Sequence, residues 1–91
     1  MIMRLDKFLK VSRLIKRRTV ANDVSEQGRV LLNGNSAKPA KQVKMGDVIT
    51  IIYSNGELEV KILHVPEGNV SVQQASDLYE IIKQPQSKQP K

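Results

Sequence analysis

Apolar side chains recur at helical spacing near the start of the chain. Leu5, Phe8 and Leu9 occupy positions i, i+3 and i+4, which places them on one face of a helix. This spacing predicts a first helix from about residue 4 to residue 12 or 13, with Leu5 and Phe8 in the core.

A second apolar stripe follows, formed by Val20, Ala21 and Val24. It predicts another helix from about residue 18 to residue 27, because Gly28 supplies a C-terminal stop. We expect Val20 and Val24 to lie in the core with the apolar face of the first helix.

The rest of the chain changes to the shorter period that is typical of strands. β-Branched runs predict three strands bounded by turn residues, and helical spacing returns near the C-terminus. The last eight residues carry no apolar side chain and two prolines, which is typical of a disordered tail. The predicted elements are strands at 30–32, 48–53 and 58–65, turns at 33–34 and 54–56, a loop at 66–69, a helix at about 76–83 and a tail at 84–91.

This order of elements predicts the α+β class. Two N-terminal helices would pack on a small, mainly antiparallel sheet, and one further helix would follow near the C-terminus. The length of 91 residues suits one domain, which we place at residues 1–83, with Ile51 among its core residues.

Positive charge is concentrated at the N-terminus. The first 18 residues carry seven bases and one acid, a net charge of +6 that equals the formal net charge of the whole chain. The remainder therefore sums to zero. Such a local excess of Lys and Arg most often indicates a polyanionic partner, of which nucleic acid is the commonest.

The start of the predicted second helix favours phosphate. Arg17 stands where Ser, Thr, Asp or Asn usually caps a helix, so the first N–H groups lack a side-chain acceptor. The positive end of the helix dipole and the side chains of Lys16, Arg17 and Arg18 meet there. We expect a phosphate contact at this point, with Arg18 the strongest candidate and Arg4 the next.

The sequence gives little support for a metal site, a cofactor site or a catalytic site. The chain has no cysteine, and His64 is its sole histidine, so no metal or cofactor site is predicted. The acids show no paired spacing, so no enzyme is predicted either. Asp6 stands four residues before Lys10, which predicts a weak helical ion pair or a helix-start role for Asp6 rather than a catalytic one.

Composition also bears on compartment and on the kind of RNA reader. The lack of cysteine fits a reducing cytoplasm. No apolar run approaches the roughly 20 residues that span a membrane, and no secretory signal is recognisable, so no membrane partner is expected. Aromatic residues make up only 3% of the chain, which argues against a protein that stacks single-stranded bases on aromatic rings.

Several motifs within residues 4–52 follow one another in a familiar order. They are RLDKFL, an Arg-Thr pair opening the second helix, Gln-Gly closing it, a short strand ending in Asn-Gly, a proline, and VKMGD before a β run. In this order they resemble the RNA-binding domain family named after small-subunit ribosomal protein S-four. That resemblance implies two helices packed on a small sheet, and binding of structured RNA, mostly rRNA or tRNA.

Among stand-alone members of this family, two small groups are most similar. One is the fifteen-kilodalton heat-shock protein, which binds large ribosomal subunits that still hold a peptidyl-tRNA. The other is the P factor of bacterial ribosome-associated quality control. The chain resembles this second group more, in the run RLDKFLKVSRLIKRRT, in the ending DLYEIIK and in its length. This implies a cytoplasmic, monomeric factor that binds large-subunit rRNA and peptidyl-tRNA. It would support alanine tailing with the protein that recruits alanyl-tRNA.

Carried over by position, the resemblance implies RNA contacts at nine residues, of which the last two are weaker candidates. They are Arg4, Lys7, Arg13, Lys16, Arg17, Arg18, Thr19, Lys38 and Lys41. Asn22 stands where many relatives place a base. It is left out of the set because an amide releases no counterion.

Two alternatives stay open. One is a heat-shock-type recycling factor for large subunits that has no role in tailing. The other is a protein-interaction module, in which the neutral segment 57–83 is the main binding surface and the basic patch only tunes solubility.

Overall fold

The computed structural model describes residues 2–53, 56–66 and 71–84. The turn expected at 54–56 lies outside this part of the chain except for Gly56. Most of the loop expected at 66–69, and all of the expected tail except Gln84, also lie outside it. The strands are β1 (Ile2–Arg4), β2 (Val30–Leu32), β3 (Asn35–Ser36), β4 (Gln42–Lys44), β5 (Val48–Tyr53), β6 (Gly56–Ile62) and β7 (Tyr79–Lys83). The helices are α1 (Leu5–Val11), α2 (Arg18–Glu26) and α3 (Val72–Ala75), and a 3₁₀ turn (Ser76–Leu78) follows α3.

The strands form an antiparallel sheet and a separate ribbon. The sheet has the order β3-β2-β5-β6-β7, while β1 pairs with β4 alone. The register places Val30 opposite Ile51 and Ile49 opposite Val60, so buried residues of three strands share one face. Leu5, Phe8 and Leu9 of α1 pack in the same cluster, which confirms the α+β class.

The start of α1 is satisfied by backbone groups rather than by a side-chain cap. The N–H of Leu5 donates to the carbonyl of Lys41 at 2.7 Å, and the N–H of Asp6 donates to the carbonyl of Pro39 at 3.1 Å. The β1–β4 pairing continues this contact by placing Arg4 opposite Gln42. The segment that carries Lys38 and Lys41 is therefore fixed against the first turn of α1.

Asp47 joins two turns of the sheet. The expected turn after β2 has Asn33 at φ 52° and Gly34 at φ 89°, which is the type I′ geometry of tight hairpins. The side chain of Asn33 donates to Asp47 at 3.2 Å and accepts from the N–H of Val48 at 2.9 Å. Asp47, which is buried, also accepts from the backbone N–H and the Nζ of Lys44, each at 3.0 Å.

The core face of α2 differs from the prediction at one position. Ala21 is fully buried and Val24 is partly buried, as expected, but the Val20 side chain is 43% exposed. Ser25 is buried instead, and its hydroxyl donates to the carbonyl of Ala21 at 2.8 Å. Because that bond satisfies the hydroxyl within the helix, a serine can occupy a core position here.

A short C-terminal helix exists as expected, but it lies at Val72–Ala75, before the expected range of about 76–83. A capping box between Ser71 and Gln74 begins α3, and the 3₁₀ turn ends it at Leu78. The next residues are a strand, which pairs Tyr79 with Ile62 and Ile81 with Val60. Pairing with the open edge of β6 is the tertiary interaction that overrides the helical spacing of this segment.

Replacing Asp47 by Ala should lower the free energy of unfolding by about 1–3 kcal/mol, because the donors of Lys44 and Asn33 lose a buried acceptor. Asp77→Ala is a matched control, since Asp77 is exposed and makes no side-chain hydrogen bond in the described part of the chain. Urea titration of both variants checks the expectation. Equal midpoints for the two would contradict the role of Asp47.

Candidate nucleic-acid interface

Two arginines from different elements meet at one buried carboxylate. Asp6, in the first turn of α1, is 2% exposed, whereas the side chains of Arg4 and Arg18 are 49% and 46% exposed. Arg4 donates from Nε to Oδ1 at 3.2 Å and from Nη2 to Oδ2 at 3.1 Å. Arg18 donates from Nη2 to Oδ1 at 3.5 Å. We call these three residues the Asp6 cluster.

The Asp6 cluster replaces the ion pair expected between Asp6 and Lys10. Lys10 is exposed. The Asp6 carboxylate instead contacts Arg4, which precedes α1, and Arg18, which begins α2. Burial acts to raise the pKa of the Asp6 carboxyl. The hydrogen bond from Arg4 and the charge of Arg18 outweigh it, so the pKa lies below the ordinary value of 3.8. The carboxylate is thus ionised at neutral pH, and the cluster carries one net positive charge.

The Asp6 cluster borders a depression at the start of α2. The depression has a volume of about 290 Å³ and is lined by Asp6, Arg18, Thr19, Asn22 and Asp23. The expected lack of a cap is confirmed, since Arg17 at the N-cap position is extended and makes no side-chain cap bond. Arg18 and Thr19, the first two residues of α2, line this depression, so the positive end of α2 lies beside it.

The chain leaves α1 through a left-handed turn at Arg13. This residue has φ 63°, its N–H donates to the carbonyl of Lys10 at 3.0 Å, and the N–H of Ile15 donates to the carbonyl of Leu9 at 3.0 Å. At the end of α2 the left-handed residue is Gly28, with φ 79°, and its N–H donates in the same way to the carbonyl of Ser25, three residues earlier, at 3.1 Å. An arginine thus occupies a place where glycine is usual, and it bears the strain of a side chain in the left-handed region.

Residues 14–17 form a basic elbow on an apolar anchor. Leu14 and Ile15 are partly buried against the core, while Lys16 and Arg17 are exposed. Arg18 and the exposed Thr19 follow at once in α2. The anchor holds the backbone, so the charged side chains project from a fixed position.

The other predicted contacts lie away from this point. Lys7 is half-buried on α1. The Nζ of Lys38 lies 3.6 Å from Oε1 of Glu26, the last residue of α2. Glu26 is roughly 12 Å along the helix axis from Arg18, which begins α2. Lys38 and Lys41 border a second depression of about 470 Å³ with the β2–β3 hairpin. This second depression shares no lining residue with the first.

Three residues at the candidate interface were not in the predicted set. Asn22 and Asp23 line the first depression, and Asp6 holds Arg4 and Arg18. Asp6 had a signal in the sequence, as the only acid among the first 18 residues. Its partner Arg18 is 12 positions away, however, and no local spacing rule links the two.

Three further observations concern functions of other kinds. Across residues 2–53, 56–66 and 71–84, no three His, Asp or Glu side chains are grouped as a metal site requires. No helix in the same ranges is long and apolar enough to cross a membrane. His64 is exposed and borders a small depression with Pro66, Gln74, Asp77 and Leu78.

Comparison with known proteins defines the relationship. The family model of the S4 domain matches residues 3–49. The RQC P-site tRNA stabilizing factor of Halalkalibacterium halodurans is 54% identical over 82 residues, which cover 90% of this chain and 92% of that protein. The protein of the same name from Listeria monocytogenes is 51% identical over 82 residues, covering 90% and 88%. The trimeric structure of Vibrio cholerae Heat Shock Protein 15 matches with a TM-score of 0.80 at 33% identity, covering 89% of this chain and 82% of that one.

The fold, two helices packed on an antiparallel sheet with basic residues at the start of α2, is thus the fold of an S4-domain protein. The resemblance of residues 4–52 to this class is confirmed, since the family model covers nearly the same residues. Within the class, the chain belongs to the family of RQC P-site tRNA stabilizing factors.

Acid should destabilise the fold through Asp6 and Asp47. Burial opposes the ionised form of both, but their hydrogen-bonded and charged partners lower both pKa values below 3.8. Their stabilisation is therefore complete above that value and is lost as the pH falls through the lowered pKa values. The melting temperature of the wild type should fall between about pH 7 and pH 2.5, and the fall should be smaller for Asp6→Asn. A pH profile identical to that of the wild type would show that Asp6 does not contribute.

Arg13→Gly should raise the free energy of unfolding by about 1 kcal/mol, because glycine adopts the left-handed turn without the clash of a Cβ. Arg17→Gly removes the same charge at a residue with φ −113° and should not stabilise the protein. Chemical denaturation of the two variants makes the comparison. Loss of stability in Arg13→Gly would contradict the strain assigned to this turn.

Proposed function

We propose that this protein is a non-enzymatic RNA-binding factor of ribosome-associated quality control. It would bind P-site tRNA on the large ribosomal subunit through the Asp6 cluster and the basic elbow. The observation that carries the proposal is the convergence of Arg4 and Arg18 beside the uncapped start of α2. The name shared by relatives from Halalkalibacterium halodurans and Listeria monocytogenes, RQC P-site tRNA stabilizing factor, supports the same role.

Binding would rest mainly on phosphate contacts. Arg4 and Arg18 offer planar forks that match phosphate oxygens, and the free N–H groups of α2 add donors along the helix axis. Lys16 and Arg17 would contact the backbone of the same RNA segment. Lys7 on α1, Arg13 in the turn after α1 and Thr19 beside Arg18 would add to these contacts. Such contacts set register and orientation and release counterions, and they depend little on base sequence.

The finer parts of the proposal concern the partners. Large-subunit rRNA and peptidyl-tRNA would share the basic surface, with Lys38 and Lys41 contacting RNA at the second depression. In the cytoplasm the factor would act as a monomer on stalled subunits. It would support C-terminal alanine tailing together with the protein that recruits alanyl-tRNA.

A second candidate is a large-subunit recycling factor without a role in tailing. The similarity to Vibrio cholerae Heat Shock Protein 15, at a TM-score of 0.80, favours this alternative. Deleting the gene distinguishes the two functions. Alanine tails on stalled nascent chains should disappear under the first and persist under the second.

A third candidate is a protein-interaction module, which the exposed Ile81 and Ile82 on the edge strand β7 favour. Under this alternative, Arg17→Ala combined with Arg18→Ala would leave partner binding and cellular function intact. Under the proposed function the same double variant loses both.

Sucrose-gradient sedimentation of tagged protein tests the proposed function directly. The wild type should sediment with large subunits that carry peptidyl-tRNA, and Arg18→Ala should shift to the top of the gradient because a phosphate contact is lost. Lys61→Ala is the matched control, since it removes one exposed charge on β6, outside the basic surface. Wild-type protein that stays at the top, free of rRNA, would refute the proposal.

The salt dependence of binding supplies a second measurement in the same system. If five or six phosphates are neutralised, the logarithm of the association constant should fall against the logarithm of salt concentration with a slope of roughly −4.5 to −5.5. Arg17→Ala combined with Arg18→Ala should reduce this slope by about 2. A flat salt response would exclude an electrostatic interface.

A further inference from the structure

We propose that Asp6 is a positioning residue for RNA binding, which holds Arg4 and Arg18 together as one phosphate-binding unit. This inference rests on the proposed function, because it names how the same surface recognises its ligand. The juxtaposition behind it is one buried carboxylate between two half-exposed guanidinium groups.

The burial of Asp6 defines what its carboxylate can contact. At 2% exposure the side chain is closed off from a large ligand such as RNA. In the described part of the chain its side-chain hydrogen bonds come only from Arg4 and Arg18. Asp6 therefore acts on a ligand through these two arginines.

The arginines keep most of their donors for a ligand. A guanidinium group has five N–H donors in a fixed plane. Arg4 uses two of them on Asp6 and Arg18 uses one, so at least three remain on each group. Because both side chains are about half exposed, the remaining donors can reach the surrounding solution.

Fixing these side chains reduces the cost of binding. Arginine loses much rotamer freedom when it is ordered by a ligand, and a side chain already held in place loses less. Asp6 joins the end of β1, the first turn of α1 and the start of α2, so it also fixes the two guanidinium groups relative to each other.

Positioning and net charge predict opposite effects of one substitution. Asp6→Asn raises the formal net charge from +6 to +7, which by electrostatics alone should tighten binding to a polyanion. If Asp6 positions the arginines, the same substitution weakens binding. Asp23→Asn is the matched control, because Asp23 lines the same depression, is exposed and makes no ion pair in the described residues.

The experiment measures binding of the full chain to purified large ribosomal subunits that carry peptidyl-tRNA, at several salt concentrations. We expect Asp6→Asn to bind roughly 5- to 20-fold more weakly, with a salt slope shallower by about one. Asp23→Asn should bind as tightly as the wild type or slightly more tightly. The salt slope also distinguishes lost positioning from partial unfolding. Partial unfolding lowers the fraction of active protein but leaves the number of phosphates contacted, and so the slope, unchanged.

A second variant tests the inference without touching the buried acid. Arg4→Lys keeps the charge beside Asp6 but loses the planar fork that Asp6 holds through two bonds, so it should also weaken binding. In a background of Arg4→Ala with Arg18→Ala, Asp6→Asn should cause no further weakening.

The outcomes separate the inference from the proposed function. If the wild type binds and Asp6→Asn binds as tightly or more tightly, the inference is overturned and the proposed function stands. Unchanged binding by Arg4→Lys would overturn it in the same way. Absence of wild-type binding would overturn the proposed function and, with it, the inference.

Discussion

The first turn of α1 depends on carbonyl groups supplied from a distant part of the chain. The N–H groups of Leu5 and Asp6 donate to the carbonyls of Lys41 and Pro39, and the β1–β4 ribbon extends this contact. Without these acceptors the start of the helix would expose unsatisfied donors next to a buried carboxylate. The position of Asp6, and through it the position of both arginines, therefore depends on how residues 39–44 pack against the N-terminus.

The basic surface combines long-range charge with local geometry. Net charge attracts a polyanion whatever the arrangement of its side chains, but recognition of a folded RNA also requires fixed donors. The apolar anchor at Leu14 and Ile15 and the buried carboxylate of Asp6 fix different parts of the surface. In the proposed function, one anchor sets the path of the backbone and the other sets the direction of two guanidinium groups.

The sequence predicted those elements whose signal is local. α1, α2, β2 and β5 follow from apolar spacing and turn residues, and the basic residues of the candidate interface follow from charge. β1, β3 and β4 have two or three residues, and they lack the apolar run and Asn-Gly turn that mark the equally short β2. The β7 segment was wrongly predicted as helix, because an open sheet edge decided its conformation. The pairing of Asp6 with Arg18 was also missed, since a tertiary contact replaced the local pair with Lys10.

The asymmetric distribution of charge has a kinetic consequence. The first 18 residues hold a net charge of +6, and the remainder, including the whole five-stranded sheet, is balanced. A molecule charged in this way has a large electric dipole, which turns its basic end towards a polyanion before contact. More encounters then begin in a productive orientation, and the association rate rises most at low ionic strength. In the proposed function, this faster encounter would add to the strength of the final contacts.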